Sequence, residues 1–294
     1  MTRKYAYFPG CSLEKMARSY HESALAASRA LDVELEEIED WNCCGATTYF
    51  NIDELLADTL CARNLAIAEQ QQRDVVMACS GCYKNMFSAR KHLTHDHDLM
   101  EHVNDALAED NLKFAGTSEV RHLIDVMIKD VGLEEIKKRV RKPLTGLKVA
   151  TYYGCQIVRP RKDHEDIESP HFFEDLMSAI GAEPTNFLLK LRCCSAALLI
   201  TNREAALSMV RNILDSAVQS GANIIATACP LCQVNLECYQ KQVNSDFGTN
   251  FNVPVLYFTQ LVGLALGVPR GKLGIGSELV NAAPALAAAG GDGR

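Results

Sequence analysis

The stretch Asp74-Val-Val-Met-Ala-Cys-Ser-Gly-Cys82 returns 150 residues later as Ile224-Ile-Ala-Thr-Ala-Cys-Pro-Leu-Cys232. Each copy is a short apolar run that closes on a Cys-x2-Cys pair, and a helical pattern follows. Short apolar runs bounded in this way predict buried strands. The match extends outward on both sides. Lys4-Tyr-Ala-Tyr-Phe-Pro-Gly-Cys11 pairs with Lys148-Val-Ala-Thr-Tyr-Tyr-Gly-Cys155 at an offset of 144, Asn85 falls in register with Asn235, and Val120 to Met127 pairs with Val253 to Gln260. Self-similarity at this spacing means one unit duplicated. The join falls near Pro143 to Gly146, and the first copy carries extra residues between Cys82 and Val120. The expected units are 1–142 and 147–270, followed by a flexible tail at 271–294, rich in alanine and glycine from Asn281.

Strand signals at Lys4 to Phe8, Asp74 to Ala78, Lys148 to Tyr153 and Asn223 to Ala228 alternate with helical patterns such as Asp53 to Gln71. Alternation of this kind predicts an α/β fold: two duplicated domains, each a small, mainly parallel sheet flanked by helices, related by pseudo-twofold symmetry. Ligands in such folds gather at the carboxyl ends of the strands, which is where each cysteine group closes its strand.

The chain has 294 residues, 48% of them hydrophobic, and a formal net charge of −7. That is enough apolar material for a real core, and an acidic chain without a basic face is a poor partner for nucleic acid. Arg3 and Lys4 interrupt the N-terminus where a signal peptide needs an apolar run, and the stretch from Leu261 to Val268 is too short to span a bilayer. A cytoplasmic protein is expected, with no direct membrane span. In that compartment the 12 cysteines are reduced, metal-bound or catalytic rather than a disulfide scaffold.

Their spacing is Cys11-x31-Cys43-Cys44-x34-Cys79-x2-Cys82 and Cys155-x37-Cys193-Cys194-x34-Cys229-x2-Cys232. Two matched sets of five use all but Cys61 and Cys238, which lie in helical patterns and read as ordinary buried cysteines. Thiolates select zinc, copper(I) or iron–sulfur clusters. A zinc site and a cubane cluster each close with about four ligands, so five with an adjacent pair point to something unusual. Zinc with a spare thiol stays open as the alternative.

The pattern resembles the CCG domain, here Cys43-Cys44-Gly45, and two such domains in a chain of this size are similar to the B-subunit family of CoB–CoM heterodisulfide reductase. Tyr7-Phe-Pro-Gly-Cys11, Trp41-Asn-Cys-Cys-Gly45, Tyr152-Tyr-Gly-Cys-Gln156 and Pro254-Val-Leu-Tyr-Phe-Thr-Gln260 carry the resemblance, which runs from about Lys4 to Pro269. It implies two noncubane [4Fe–4S] clusters. One would sit on Cys11, Cys43, Cys44, Cys79 and Cys82, the other on Cys155, Cys193, Cys194, Cys229 and Cys232. It also implies a disulfide bound between the clusters and cleaved to two thiols, or the reverse, with a ferredoxin-like C-type protein and an A-type flavoprotein as partners in the complex. One departure stands out. Ser195 replaces the glycine after the second doublet, where it is expected to alter the turn or donate to a sulfur.

Arg159-Pro-Arg-Lys162, with Arg161, and Lys190 and Arg192 offer a basic rim for an anionic substrate, or simply a solvated loop. His92, His95, His97 and His102 fall in the extra segment among acids. Their spacing matches no tight ligand pair, so a polar helix face is expected. Trp41 either shields the first cluster or packs in the core. Gly271 to Ser277 lacks the strand–helix context of a dinucleotide site. Three functions compete: a catalytic disulfide or thiol oxidoreductase subunit, an electron-transfer subunit with no substrate of its own, and a zinc-stabilised assembly module.

Overall fold

The computed structural model describes residues 2–46, 49, 52–160 and 167–288. Its strands are β1 (Arg3–Tyr7), β2 (Val33–Glu37), β3 (Val75–Met77), β4 (Val120–His122), β5 (Lys148–Tyr152), β6 (Glu183–Pro184), β7 (Ile224–Thr227) and β8 (Val255–Tyr257). They form two four-stranded sheets, ordered β2-β1-β3-β4 and β6-β5-β7-β8. Every pairing is parallel. The central strands are buried apolar runs, as a sheet covered on both faces requires. The edge strands β2 and β6 escaped the sequence reading. Val33-Glu-Leu-Glu-Glu37 is half acidic and β6 is two residues long, as edges that must resist further pairing tend to be.

Parallel neighbours need crossovers, and helices supply them. Those that matter here are α1 (Arg18–Ala30), α2 (Glu54–Gln70), α3 (Ser80–His95), α4 (His97–Leu107), α5 (Leu133–Arg139), α6 (Phe172–Ala179), α7 (Arg203–Gln219), α8 (Pro230–Cys238) and α9 (Phe258–Ala265). Asp53 and Asn202 cap α2 and α7 by accepting from the Leu56 and Ala205 amides. The extra residues of the first copy form α4 and the turns after it.

The halves join through equivalent surfaces. α1 of the first half packs on α9 of the second, and α5 packs on α6. Tyr20 and Tyr257 stack across this seam with ring centroids 4.0 Å apart, and Ser23 Oγ lies 2.6 Å from Thr259 Oγ1. The segment after residue 270, expected as a flexible tail, is packed through residue 288. Leu273, Ala282 and Leu286 are buried, Ala283–Ala288 is helical, and the Leu273 carbonyl accepts from Gln260 Nε2. A Cβ on Gly274 would meet Ser19 Cβ at 2.5 Å, so this segment braces the first half.

Candidate metal centre

The cysteines gather at the carboxyl ends of the strands, as expected. Cys11 follows β1, the Cys43–Cys44 doublet follows β2, and Cys79 leads from β3 into the first turn of α3, which carries Cys82. Cys155, Cys193–Cys194, Cys229 and Cys232 repeat the arrangement around β5, β6, β7 and α8, with Pro230 in the first turn of α8. Cys43 Sγ lies 3.6 Å from Cys11 Sγ, and Cys44 Sγ lies 3.3 Å from Cys82 Sγ. In the second half the thiols act on one another in the same chain, Cys155 with Cys193, Cys194 with Cys232, and Cys232 with Cys229. Each set of five is therefore one connected group of thiols. The two groups also meet, because Cys79 and Cys229 face each other closely enough across the seam to shift each other, Cys79 up and Cys229 down.

Electrostatics treat the two doublets alike. The neighbouring Cys11 thiol, with Cys44 and the Gly45 amide, pulls Cys43 down to about 2. Cys155, with Cys194 and the Ser195 amide, pulls Cys193 down to about 2. The low Cys43 and Cys193 in turn hold Cys44 and Cys194 up, each to about 12. Each doublet thus keeps one thiolate ready as a metal ligand; the halves differ at the seam, where Cys232 and Cys79 hold Cys229 low and Cys229 holds Cys79 high. First-turn amides of α3 and α8 turn towards Cys79 and Cys229, as helix N-termini do for anions.

Glycines make the space. Gly10 and Gly154 precede Cys11 and Cys155 at φ +75° and +66°, and a Cβ on either would sit 3.0 Å from the Sγ of Cys82 or Cys232. A soft, five-thiol, largely buried donor set with its approach cleared by glycine fits an iron–sulfur group or a thiolate-bound metal.

Ser195 does not alter the turn. It holds φ 62° where Gly45 holds φ 69°. Its hydroxyl donates to the Cys194 and Ala206 carbonyls at 2.5 and 3.0 Å, so it reaches no sulfur; only its amide approaches Cys193 Sγ, at 3.3 Å. The spare cysteines also divide. Cys61 is buried and donates to the Cys44 carbonyl at 3.4 Å, whereas Cys238, expected to be buried, ends α8 and is exposed. Sequence reasoning missed Asn64. Buried on α2, it bonds both the amide and the carbonyl of Asn42 at 2.9 Å, fixing the backbone that enters the doublet. A polar residue on the inward stripe of a helical pattern was its only signal.

A cavity of about 1040 Å³ opens beside Cys155, and Val158, Arg159, His171, Lys190 and Arg192 help line it. Cys193 and burial hold Cys155 up, and Cys155 and Cys194 hold Cys193 down; the Arg159 charge adds a smaller downward pull on both, so it reaches the sulfurs. Lys190 is committed to Glu174 at 2.7 Å and the Pro170 carbonyl at 2.6 Å. The proposed rim residues Arg161 and Lys162 lie outside the described residues. Trp41 packs edge-on against Phe8 with centroids 5.3 Å apart and donates to Glu37. His95 and His102 bond carbonyls of their own helices, as expected for a polar face.

Fold and site together define a duplicated α/β protein with two thiol-rich centres set edge to edge. The cysteine-rich domain model, CCG, matches residues 5–87 and again 149–237, and the chain belongs to this family. The chain is 38% identical over 284 residues to the 8-methylmenaquinol:fumarate reductase membrane anchor subunit of Wolinella succinogenes, covering 96% of this chain and 99% of that one. It is 34% identical to the B subunit of the ferredoxin:CoB–CoM heterodisulfide reductase of Methanosarcina mazei, over 94% of both chains. A crystal structure of a hypothetical protein from Helicobacter pylori shares the fold at a TM-score of 0.78 and 16% identity. That match covers 95% of this chain, which spans about half (52%) of the other. Family membership and the duplicated cysteine sets make this an iron–sulfur electron-transfer subunit of oxidoreductase type. Among the described residues, no helix is long and apolar enough to cross a membrane.

Proposed function

We propose that this chain is the iron–sulfur subunit of a heterodisulfide reductase-like complex in the cytoplasm. In this reading, duplicated domains spanning 1–142 and 147–270 each hold a noncubane [4Fe–4S] cluster. Cys11, Cys43, Cys44, Cys79 and Cys82 hold the first; Cys155, Cys193, Cys194, Cys229 and Cys232 hold the second. The observation that carries it is the gathering of two complete five-thiol sets at the carboxyl ends of their strands, with Cys79 of one and Cys229 of the other near enough to act on each other. Bound clusters would supply electrons singly to a disulfide, which takes up two electrons and two protons and leaves as two thiols; the reverse oxidises thiols. The chain's own residues hold and orient the substrate. Arg159 and Arg192 give the cavity beside Cys155 a cationic rim for an anionic disulfide or thiol. Electrons arrive from a ferredoxin-like C-type protein and an A-type flavoprotein, the partners suited to a chain of the B type. Zinc in one half is the alternative occupant.

Anaerobic purification with iron, sulfide and zinc counting tests the cofactor. About eight irons per chain are expected, and zinc in both halves with no iron after reconstitution overturns it. Turnover of a disulfide with reduced viologen tests the catalysis. The similarity to a membrane anchor subunit of a quinol:fumarate reductase favours a second reading, an electron-transfer subunit without its own substrate. Full iron content with no disulfide or thiol turnover supports that one.

A further inference from the structure

Away from the cysteines, the first half carries a group of side chains with the composition of a metal site. Glu54 and Asp58 lie one turn apart on α2, and His92 reaches them from the facing helix α3. One ligand atom from each residue lies within 4.8 Å of the others. His92 Nδ1 stands 3.3 Å from Asp58 Oδ2 and 3.8 Å from Glu54 Oε1. Donor atoms around an ion with bonds of about 2.1 Å stand roughly 3.0–3.4 Å apart. The first separation already fits, and Glu54, which is exposed, can swing in.

A second observation separates this group from an ordinary surface cluster. The Asp58 side chain is only 1% exposed, and its Oδ1 is buried without a hydrogen-bond partner. Lys84 adds positive charge from a distance but does not satisfy that oxygen. A desolvated carboxylate oxygen with no donor is costly unless a cation or a proton meets it.

The second half shows what the fold requires at this place. There α7 carries Arg203 where α2 carries Glu54 and Leu207 where it carries Asp58, while Gln242 takes the place of His92. Leu207 is buried, and Arg203 Nη2 donates to Gln242 Oε1 at 3.2 Å. An apolar residue under a neutral acceptor and a cation therefore closes the equivalent contact, with Gln242 on the short helix Gln240–Phe247. Nothing in the architecture calls for a buried acid beneath a second acid and an imidazole.

We infer that Glu54, Asp58 and His92 form a site for a divalent first-row cation of the zinc, manganese or iron(II) class. Two carboxylates and one imidazole hold it on an open face, with water completing the shell. The site is independent of what the cysteine sets hold. Asp58 lies three residues before Cys61, which bonds the Cys44 carbonyl. The cation thus ties α2 to α3 behind the first doublet and places positive charge there, with no counterpart behind the second.

Manganese(II) is the probe, because thiolate sites disfavour it and its free aqua ion is counted directly by electron paramagnetic resonance. The anaerobically purified full chain, treated with a mild chelator, is expected to take up one Mn2+ per chain, displaced by Zn2+. His92→Ala and Glu54→Gln alter exposed residues, and each is expected to weaken uptake about tenfold or more while leaving iron and sulfide content unchanged. Asp58→Asn, which keeps the side-chain shape, is expected to abolish it. No Mn2+ uptake below about 1 mM, or uptake by the His92→Ala protein equal to that of the unaltered chain, overturns the assignment.

Discussion

The two halves meet the same demand at the cysteine doublet with different atoms. In the first, the carbonyl of Asn42 accepts from Asn64; in the second, the matching carbonyl, of Arg192, accepts from Tyr152 Oη. Two residues on, the Cys44 carbonyl accepts from Cys61 and Asn85, and the Cys194 carbonyl accepts from Ser195 and Asn235. Only the asparagine of the α3 or α8 helix is common to both. A buried carbonyl has to be paired, but the donor can come from the strand, the helix or the turn itself. Ser195 is thus one member of an exchange, Gly45 with Cys61 against Ser195 with Val210, rather than a damaged glycine.

The comparison breaks most severely at the doublets. Cys44→Ala and Cys194→Ala are each expected to lose about four irons and all viologen-driven disulfide turnover, each emptying its own half. Full turnover by the Cys194→Ala protein would make the second half a structural or docking domain. Next in size are the space-making glycines. Gly10 combines φ 75° with ψ 160°, a region closed to residues with a Cβ, so Gly10→Ala is expected to cost about 1–3 kcal/mol and lower iron content in the first half. Gly154→Ala should act on the second. Stability in anaerobic urea, with iron counted on the same samples, reads both.

The exchanged donors come third. Asn64→Ile, which installs the residue of the second half, leaves two half-buried backbone groups of Asn42 without their side-chain partner and is expected to cost about 1–3 kcal/mol. Adding Phe8→Tyr, which copies Tyr152, should recover part of that loss; no recovery would mean the halves are less interchangeable than their hydrogen bonds suggest. Ser195→Gly is expected to cost about 1 kcal/mol with metal content retained. Smallest is Cys238→Ala, expected within about 0.5 kcal/mol and without effect on iron, as for an exposed surface position.

Much of this was legible in the sequence because the repeat compares the chain with itself. Pairing Asp74–Cys82 with Ile224–Cys232 located the central strands and the strand-end position of the cysteines together. What stayed hidden was non-local or weakly patterned. β2 and β6 are short and polar, so they carry little apolar period. His92 meets acids 34 and 38 positions away in sequence, which no i, i+4 spacing test can find. The turn at Ser195 looked doubtful because glycine is the usual left-handed residue, yet two carbonyls anchor the serine hydroxyl and hold it there. The packed segment after residue 270 shows the opposite limit. Its alanines and glycines suggested mobility, but small residues are what allow Gly263 to lie against Leu273 and Gly274 against Ser19.

The tyrosine seam has a consequence for motion. Tyr20, Phe173, Tyr257 and Phe258 are all buried where the halves touch. At about 1.5–3 kcal/mol for each large apolar side chain, wetting three of them costs on the order of 5–9 kcal/mol, as much as an entire domain's margin of stability. Opening the halves like a clamshell therefore costs about as much as unfolding a domain. On heating, the halves are expected to come apart only as they melt, in a single cooperative step, which shows as equal calorimetric and van't Hoff enthalpies.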